Sequence, residues 1–185
     1  MELHCLENKS ILITGASGFI GSFMVERALA EGMEVWAAVR PTSSRRYLTD
    51  DRIHFIELDL SDELHLQHQL EDHLKEVEGR PFDYVIHAAG ATKCRRAEDF
   101  FTINAEGTAC LALTLLGTQA LLPTGRFVFI SSLSVMGPLH ERDGKDIMAS
   151  ELARPNTAYG ASKLQAESML ADIRDLNYVV LRPTG

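Results

Sequence analysis

The chain has 185 residues, 45% of them apolar and 24% charged, with a net charge of −8. These values lie far from those of disordered or membrane-embedded chains, and the acidic balance speaks against a nucleic-acid partner held by a basic surface. Cys5, Cys94 and Cys110 are odd in number and form no CxxC pair, so neither a disulfide framework nor a zinc site is expected, and a reducing cytoplasm fits best. The opening MELHCLENKS lacks the basic start and apolar centre of a signal peptide. No run reaches the about 18 apolar residues needed to span a bilayer, so one soluble, intracellular domain over 1–185 with no membrane partner is expected.

In chain order, SILIT (10–14) reads as a buried strand that meets a turn at Gly15. From Gly18 onward Phe19, Ile20, Phe23, Met24, Ala28 and Leu29 recur at helical spacing, with Gly32 placed to cap the helix. EVWAAV (34–39) and IHFIEL (53–58) predict two more strands, followed by a helix over 62–77 and a strand YVIHAA (84–89). A helix over 98–117, a strand RFVFIS (126–131), a helix over 157–174 and a strand over 178–182 complete the pattern. Six apolar runs alternating with helices predict an α/β fold with a doubly wound parallel sheet, Rossmann-like, with helices on both faces. The loop-rich stretches 40–52 and 137–157 follow strands on the edge where such sheets bind ligands.

In TGASGFIG (14–21) the glycines fall at 15, 18 and 21, between strand and helix. That context suits a dinucleotide pyrophosphate, because backbone N–H groups can approach the phosphates and the helix dipole favours an anion. Gly15, Ser17, Gly18, Phe19, Ile20 and Gly21 are therefore candidate cofactor-binding residues. The alternative is a tight turn without a ligand. Tyr159 and Lys163 are four apart on a predicted helix and share a face. A tyrosine with an ordinary pKa near ~10 is a poor base, and a neighbouring ammonium favours its phenolate. Ser132 lies at the carboxyl end of the fifth strand, on the same sheet edge as the glycine turn, where its hydroxyl could hold a substrate oxygen.

The glycine turn resembles the fingerprint of the extended short-chain dehydrogenase/reductase family, which includes NAD(P)-dependent epimerases, dehydratases and reductases. Further matches follow in that family's order. Asp59 and Leu60 resemble its adenine contact, HAAG with Ala88, Ala89 and Gly90 its loop beside the cofactor ribose, and Asn104 in NAEGT its helix-four asparagine. SSLSVMG (131–137) resembles the catalytic serine strand and places Ser132, rather than Ser131 or Ser134, at the catalytic position. YGASK (159–163) resembles YxxxK, and LRPTG, with Pro183, resembles the strand that closes over the nicotinamide. Met136 stands where many members carry an aromatic ring.

The resemblance implies roles. Tyr159 exchanges the proton, Lys163 lowers its pKa and binds the nicotinamide ribose, and Ser132 orients a small-molecule substrate. The helices near 98–117 and 157–174 resemble those that pair in a homodimer in many family members, and from sequence alone they could equally pack within one subunit. In the family the chain continues into a substrate-binding part after the sixth strand. The 185 residues are accordingly expected to fold and bind dinucleotide but to turn over poorly.

Arg40 ends the second strand, with Ser43, Ser44, Arg45 and Arg46 after it and no carboxylate until Asp50. A basic residue there tolerates the 2′-phosphate of NADP, whereas a carboxylate would favour NAD. The expectation is an NADP-preferring, reductase-like oxidoreductase acting on a carbonyl or alcohol. The alternatives are an NAD-dependent nucleotide-sugar epimerase or dehydratase, and a non-catalytic dinucleotide sensor or scaffold, against which the intact Ser132, Tyr159 and Lys163 speak. His65, His68 and Asp72 are spaced i, i+3 and i+7. Leu66, Leu70, Leu74 and Val77 form the buried stripe of that helix, which leaves the histidines solvated, so no metal is expected. Lys93, Arg95 and Arg96 are read as a solvated charge cluster that could also receive an anionic group.

Overall fold

The structure, a computed structural model, describes residues 6–138 and 151–184. Cys5, residues 139–150 of the second loop-rich stretch, and Gly185 lie outside the described residues.

Strands β1 (Ser10–Thr14), β2 (Glu34–Ala38), β3 (His54–Ile56), β4 (Phe82–His87), β5 (Leu121–Ile130) and β6 (Tyr178–Leu181) form one sheet in the order β3-β2-β1-β4-β5-β6. Every pairing is parallel, as the alternation of apolar runs and helices predicts. The order reverses between β1 and β4, so their carboxyl ends open a crevice of the kind that binds ligands in doubly wound sheets.

Period-2 alternation divides the core between the two faces of the sheet. Ile11, Ile13, Val35 and Ala37 pack against Val25, Ala28 and Leu29 of helix α1 (Phe19–Ala30). On the other face Leu12, Val85, Phe127 and Phe129 meet Leu66 and Leu70 of α2 (Glu63–Glu76). Leu111 and Leu115 of α4 (Gly107–Gly117) and Leu170 of α5 (Ala158–Asp172) complete that layer. α1 leaves the β6 end of its own face bare: Val179 and Leu181 are exposed there, while Tyr178 and Val180 face the opposite layer.

Three boundaries differ from the sequence-based expectation. β3 keeps only His54–Ile56 in the ladder, although the apolar pattern runs to Leu58. β5 starts at Leu121 rather than Arg126, and its register with β4 shifts between Phe82 and Tyr84. The expected helix over 98–117 is helical from Ala97 to Gly117 but not uniformly so. α3 (Ala97–Phe101) passes into a π-helical turn, Thr102–Glu106, before α4, and Gly107 N–H reaches back to the Thr102 carbonyl. A π turn widens the helix by one residue and is common at functional sites; here it contains Asn104. By length and hydropathy Ala97–Gly117 could span a bilayer, but half of it is buried in this fold.

Local chemistry sets the ends. α1 stops at Gly32, which adopts φ +73°, and the bonds Gly32 N–H to Leu29 O (3.1 Å) and Met33 N–H to Ala28 O (3.1 Å) close the cap. Asp62 and Thr157 cap α2 and α5 by accepting from His65 N–H and Gly160 N–H, both at 3.0 Å.

Candidate active site

Gly15 takes φ +67°, and a Cβ there would lie 2.6 Å from the Ala89 nitrogen and 2.7 Å from the Ala88 carbonyl carbon. A Cβ at Gly21 would strike the Gly15 carbonyl oxygen. The glycines thus let three backbone segments meet at the mouth of the crevice. Unlike α2 and α5, α1 starts at Gly18 with no side-chain cap, and its first turn carries no acidic residue. Its leading N–H groups are therefore free of the side-chain acceptor that usually satisfies them, which suits an anion. Phe19 and Ile20 are exposed beside this end, and Phe19 packs edge-to-face on Phe23. The donor set and the open backbone fit a dinucleotide pyrophosphate.

At the end of β4, Gly90 brings two further groups together. A Cβ there would sit 2.9 Å from Asn104 Oδ1 and 3.1 Å from Lys163 Nζ. Asn104 is fully buried and its amide is fixed on three sides. Oδ1 accepts from Ala91 N–H (2.7 Å), while Nδ2 donates to the Ala91 carbonyl (3.0 Å) and to Ser162 Oγ (3.1 Å). Ser162 Oγ in turn donates to the Tyr159 carbonyl at 2.8 Å. Lys163 is 4% exposed, donates to the Ile130 carbonyl at 3.0 Å and lies 4.7 Å from the Phe129 ring centroid. Burial pushes its pKa down to about 8, and Glu167 opposes that shift.

Ser132 begins a 3₁₀ turn, Leu133–Met136; its Oγ accepts from Ser134 N–H and donates to Ser134 Oγ, both at 3.1 Å. A Cβ at Gly160 would collide with the Ser134 carbonyl oxygen, so the glycine after Tyr159 lets α5 lie directly on the serine turn. Tyr159 is half-buried, its ring 6.0 Å from that of Phe100 in a T-shaped contact. Ser132, Tyr159, Lys163, Asn104 and Gly90 are thus brought to one edge, next to the glycine turn. Pro183 joins them through its carbonyl, which accepts from Leu133 N–H at 3.0 Å.

Glu167 braces this edge. Its Oε1 accepts from Ser131 Oγ (2.5 Å) and Arg182 Nε (3.0 Å), and its Oε2 from Arg182 Nη2 (2.6 Å). Arg182 also reaches the Met136 sulfur at 3.3 Å. Ser131 is therefore tied to the Glu167 carboxylate, whereas the Ser132 hydroxyl bonds within its own turn. One carboxylate ties the ends of β5 and β6 to α5.

The adenosine side is more open. Arg40 is exposed, and its backbone N–H donates to Ser43 Oγ at 3.2 Å. Arg45 and Arg46 depart from the expected electropositive pocket, since their guanidinium groups lie over the Phe55 and Tyr47 rings at 4.2 and 4.3 Å. Asp50 is held by Arg52 through two bonds of 2.9 and 2.7 Å. Asp59, half-buried, accepts from the hydroxyl and N–H of Ser61, which hold its carboxyl below its usual range. Leu60 packs against Gly107. His65 and His68 lie on the exposed side of α2, His65 3.7 Å from Asp59, while Leu66 and Leu70 face the core. Lys93, Arg95 and Arg96 are exposed, and Arg96 pairs with Asp99 at 2.6 Å.

Sequence reasoning overlooked Ser162, Glu167, Arg182 and His87. The first two share the Lys163 helix, where Glu167 follows Lys163 by one turn, but its partners Ser131 and Arg182 come from the ends of β5 and β6. His87 was visible as an imidazole inside an apolar strand.

The model of the NAD dependent epimerase/dehydratase family matches residues 11–185. Among curated proteins, the chain is 29% identical over 187 residues to the UDP-glucose 4-epimerase of Mus musculus, covering 89% of this chain and 49% of that protein. It is 28% identical over 141 residues to a short-chain dehydrogenase of Pyricularia oryzae, covering 71% and 49%. Among solved structures, the UDP-glucose 4-epimerase from Brucella ovis in complex with NAD superposes with a TM-score of 0.76 at 26% identity, covering 94% of this chain and 51% of that one. The chain spans about half the length of the relatives it matches.

Proposed function

Because the chain belongs to the NAD dependent epimerase/dehydratase family, we propose that it is the dinucleotide-binding and proton-transferring half of an enzyme that epimerises or dehydrates a nucleotide sugar. The observation that supports this best is the meeting of Asn104 Oδ1 and Lys163 Nζ at Gly90, beside the uncapped start of α1. The relatives move the reading from the reductase suggested by Arg40 toward epimerase chemistry, since a UDP-glucose 4-epimerase with NAD is among the similar structures.

A bound nicotinamide would supply reversible hydride acceptance. The chain's own residues do the rest. Tyr159 takes the proton from a sugar hydroxyl as hydride leaves its carbon and gives it back as hydride returns. Lys163, carrying its charge below about pH 8, stabilises the phenolate, and Ser132 holds the sugar oxygen. Gly15, Ser17, Gly18, Phe19, Ile20 and Gly21 receive the pyrophosphate. Asp59, Leu60, Ala88, Ala89 and Gly90 line the adenosine and ribose path, and Pro183 borders the nicotinamide. A homodimer through Ala97–Gly117 and α5 accords with the exposed Ile103 and Leu113 on the first of these helices.

A second reading keeps NADP as the preferred dinucleotide, because no carboxylate stands at the end of β2 and Arg40 is exposed there. Thermal unfolding of the 185-residue chain with NAD, NADP and UDP-glucose tests both, since a ligand at 100 times its Kd adds about 2.7 kcal/mol. A rise with NAD larger than that with NADP is expected of an epimerase. No rise with either dinucleotide would refute the proposal. A larger rise with NADP that vanishes in Arg40→Ala would select the second reading.

A further inference from the structure

His87 takes no part in the chemistry proposed above, yet it is one of the most constrained side chains in the molecule. It ends β4, directly opposite Thr14 at the end of β1, and is 1% exposed. Its Nδ1 lies 2.6 Å from Thr14 Oγ1 and its Nε2 lies 2.9 Å from Thr108 Oγ1. Thr14 Oγ1 accepts from Ala89 N–H at 3.3 Å, and Thr108 Oγ1 donates to the Asn104 carbonyl at 2.6 Å.

The network fixes the tautomer. Thr108 spends its only proton on the Asn104 carbonyl, so it must accept from the ring, which places a proton on Nε2. Nδ1 of the neutral ring then accepts from the Thr14 hydroxyl. The bonds run head to tail from Ala89 N–H through Thr14, His87 and Thr108 to the Asn104 carbonyl, and dipoles aligned in this way reinforce one another. A second ring proton would have to displace the Thr14 hydroxyl from Nδ1. Among the described residues the other neighbours offer an imidazolium no counter-charge: the Phe127 and Phe129 rings lie 5.9 and 5.8 Å away, and the charged group acting on it is the Lys163 ammonium. Burial and that ammonium push the His87 pKa down to about 3.

We propose that His87 is a positioning residue: its neutral Nε2–H ring is a one-way hydrogen-bond bridge that holds the end of β1, with the glycine turn, in register with the π turn carrying Asn104. The functional meaning of the bridge rests on reading this edge as the dinucleotide and proton-transfer site. The bridge accounts for two features together. Ala89 N–H and Gly15 are packed on one another, so fixing Ala89 fixes the mouth of the crevice. Anchoring the Asn104 carbonyl through Thr108 sets the backbone from which the Asn104 amide reaches Ala91.

The test uses the ¹⁵N-labelled 185-residue chain. Imidazole ¹H–¹⁵N spectra are expected to show His87 as a neutral Nε2–H ring from about pH 5 to about pH 8. A ring that titrates in that window, or carries its proton on Nδ1, overturns the proposal without any variant. Amide exchange provides the second arm. In Thr108→Val, Ala91 N–H should exchange about tenfold faster relative to Trp36 N–H in β2, and Thr108→Ser should restore it. Equal acceleration at both amides, or none at Ala91, overturns the bridge. The two readings fail separately. A chain that binds neither NAD nor NADP but shows the bridge refutes the functional reading alone, and one that binds dinucleotide without the bridge refutes this inference alone.

Discussion

Glu167→Gln and Arg182→Met, alone and together, measure how strongly the bidentate pair holds the edge that carries Ser132 and Lys163. The pair is largely shielded, with side-chain exposures of 10% for Glu167 and 29% for Arg182, and it is made of bonds of 3.0 and 2.6 Å. Charge-assisted hydrogen bonds contribute about 1.5–3 kcal/mol net, and breaking a buried pair by removing one partner costs about 3–5 kcal/mol. The residual exposure of Arg182 places Glu167→Gln at the lower end, about 2–3 kcal/mol, or roughly 4–12 °C in Tm for a domain of this size. Arg182→Met should cost at least as much, because it leaves the more buried Glu167 carboxylate with the Ser131 hydroxyl in place of the guanidinium. Urea unfolding of the four proteins should give a coupling of about 2 kcal/mol. That coupling should persist in about 1 M salt, where the screening length is about 3 Å. The Lys75–Asp72 pair, 75% and 73% exposed, is the control and should show almost no coupling, as exposed pairs do. Coupling for Glu167 and Arg182 indistinguishable from that control would refute the view that the pair clamps the edge.

Lys163 has a folded pKa depressed to about 8 from 10.5, so the unfolded chain binds its proton more tightly between those values. Stability should therefore rise with pH from about 8 to about 10.5, and urea titrations should show Lys163→Met without that rise. His87 acts at the other end: its depressed pKa means the folded state does not take up a proton that the unfolded state binds, so stability falls as pH drops below about 6.5, measured by acid unfolding. Gly90→Ala places a Cβ 2.9 Å from Asn104 Oδ1 and 3.1 Å from Lys163 Nζ. Calorimetry should show dinucleotide affinity falling about tenfold or more, with Tm changing by only a few degrees. Thr157→Ala removes the α5 cap and should lower stability by about 1 kcal/mol in urea unfolding.

Much of the fold was legible because parallel strands buried on both faces read as continuous apolar runs, and the glycine positions punctuated them. Gly15, Gly21 and Gly32 each occupy the turn or close approach that their spacing implied. The YGASK and SSLSVMG motifs were legible as a helix start and a strand end, which is where Tyr159, Lys163 and Ser132 lie. The π turn at Thr102–Glu106 was not legible, because its apolar pattern suits an ordinary helix and its extra residue depends on bonds to Ala91 and Ser162, which lie elsewhere in the sequence. The Glu167–Arg182–Ser131 clamp was missed for the same reason: an acidic residue on a polar helix face looks solvated until β6 brings the arginine beside it. At Arg45 and Arg46 charge was counted without the aromatic faces that take up the guanidinium groups.

The strand order also governs when the parts can come together during synthesis. β1 is made early, yet its second neighbour, β4, lies about 70 residues downstream by register, from Ile11 to Tyr84. The shelf that carries Ser132 is fastened later still, by Ser131 N–H to the Leu181 carbonyl at 2.7 Å and Leu133 N–H to the Pro183 carbonyl at 3.0 Å. Sequence-distant parallel pairings form slowly because loop closure precedes its reward. A nascent chain therefore has its glycine turn and uncapped helix start long before the shelf that carries Ser132 is fastened. Until Leu181 to Pro183 emerge from the ribosome, exposed β5 is an unpaired edge that a chaperone can protect and a second nascent chain can mispair with.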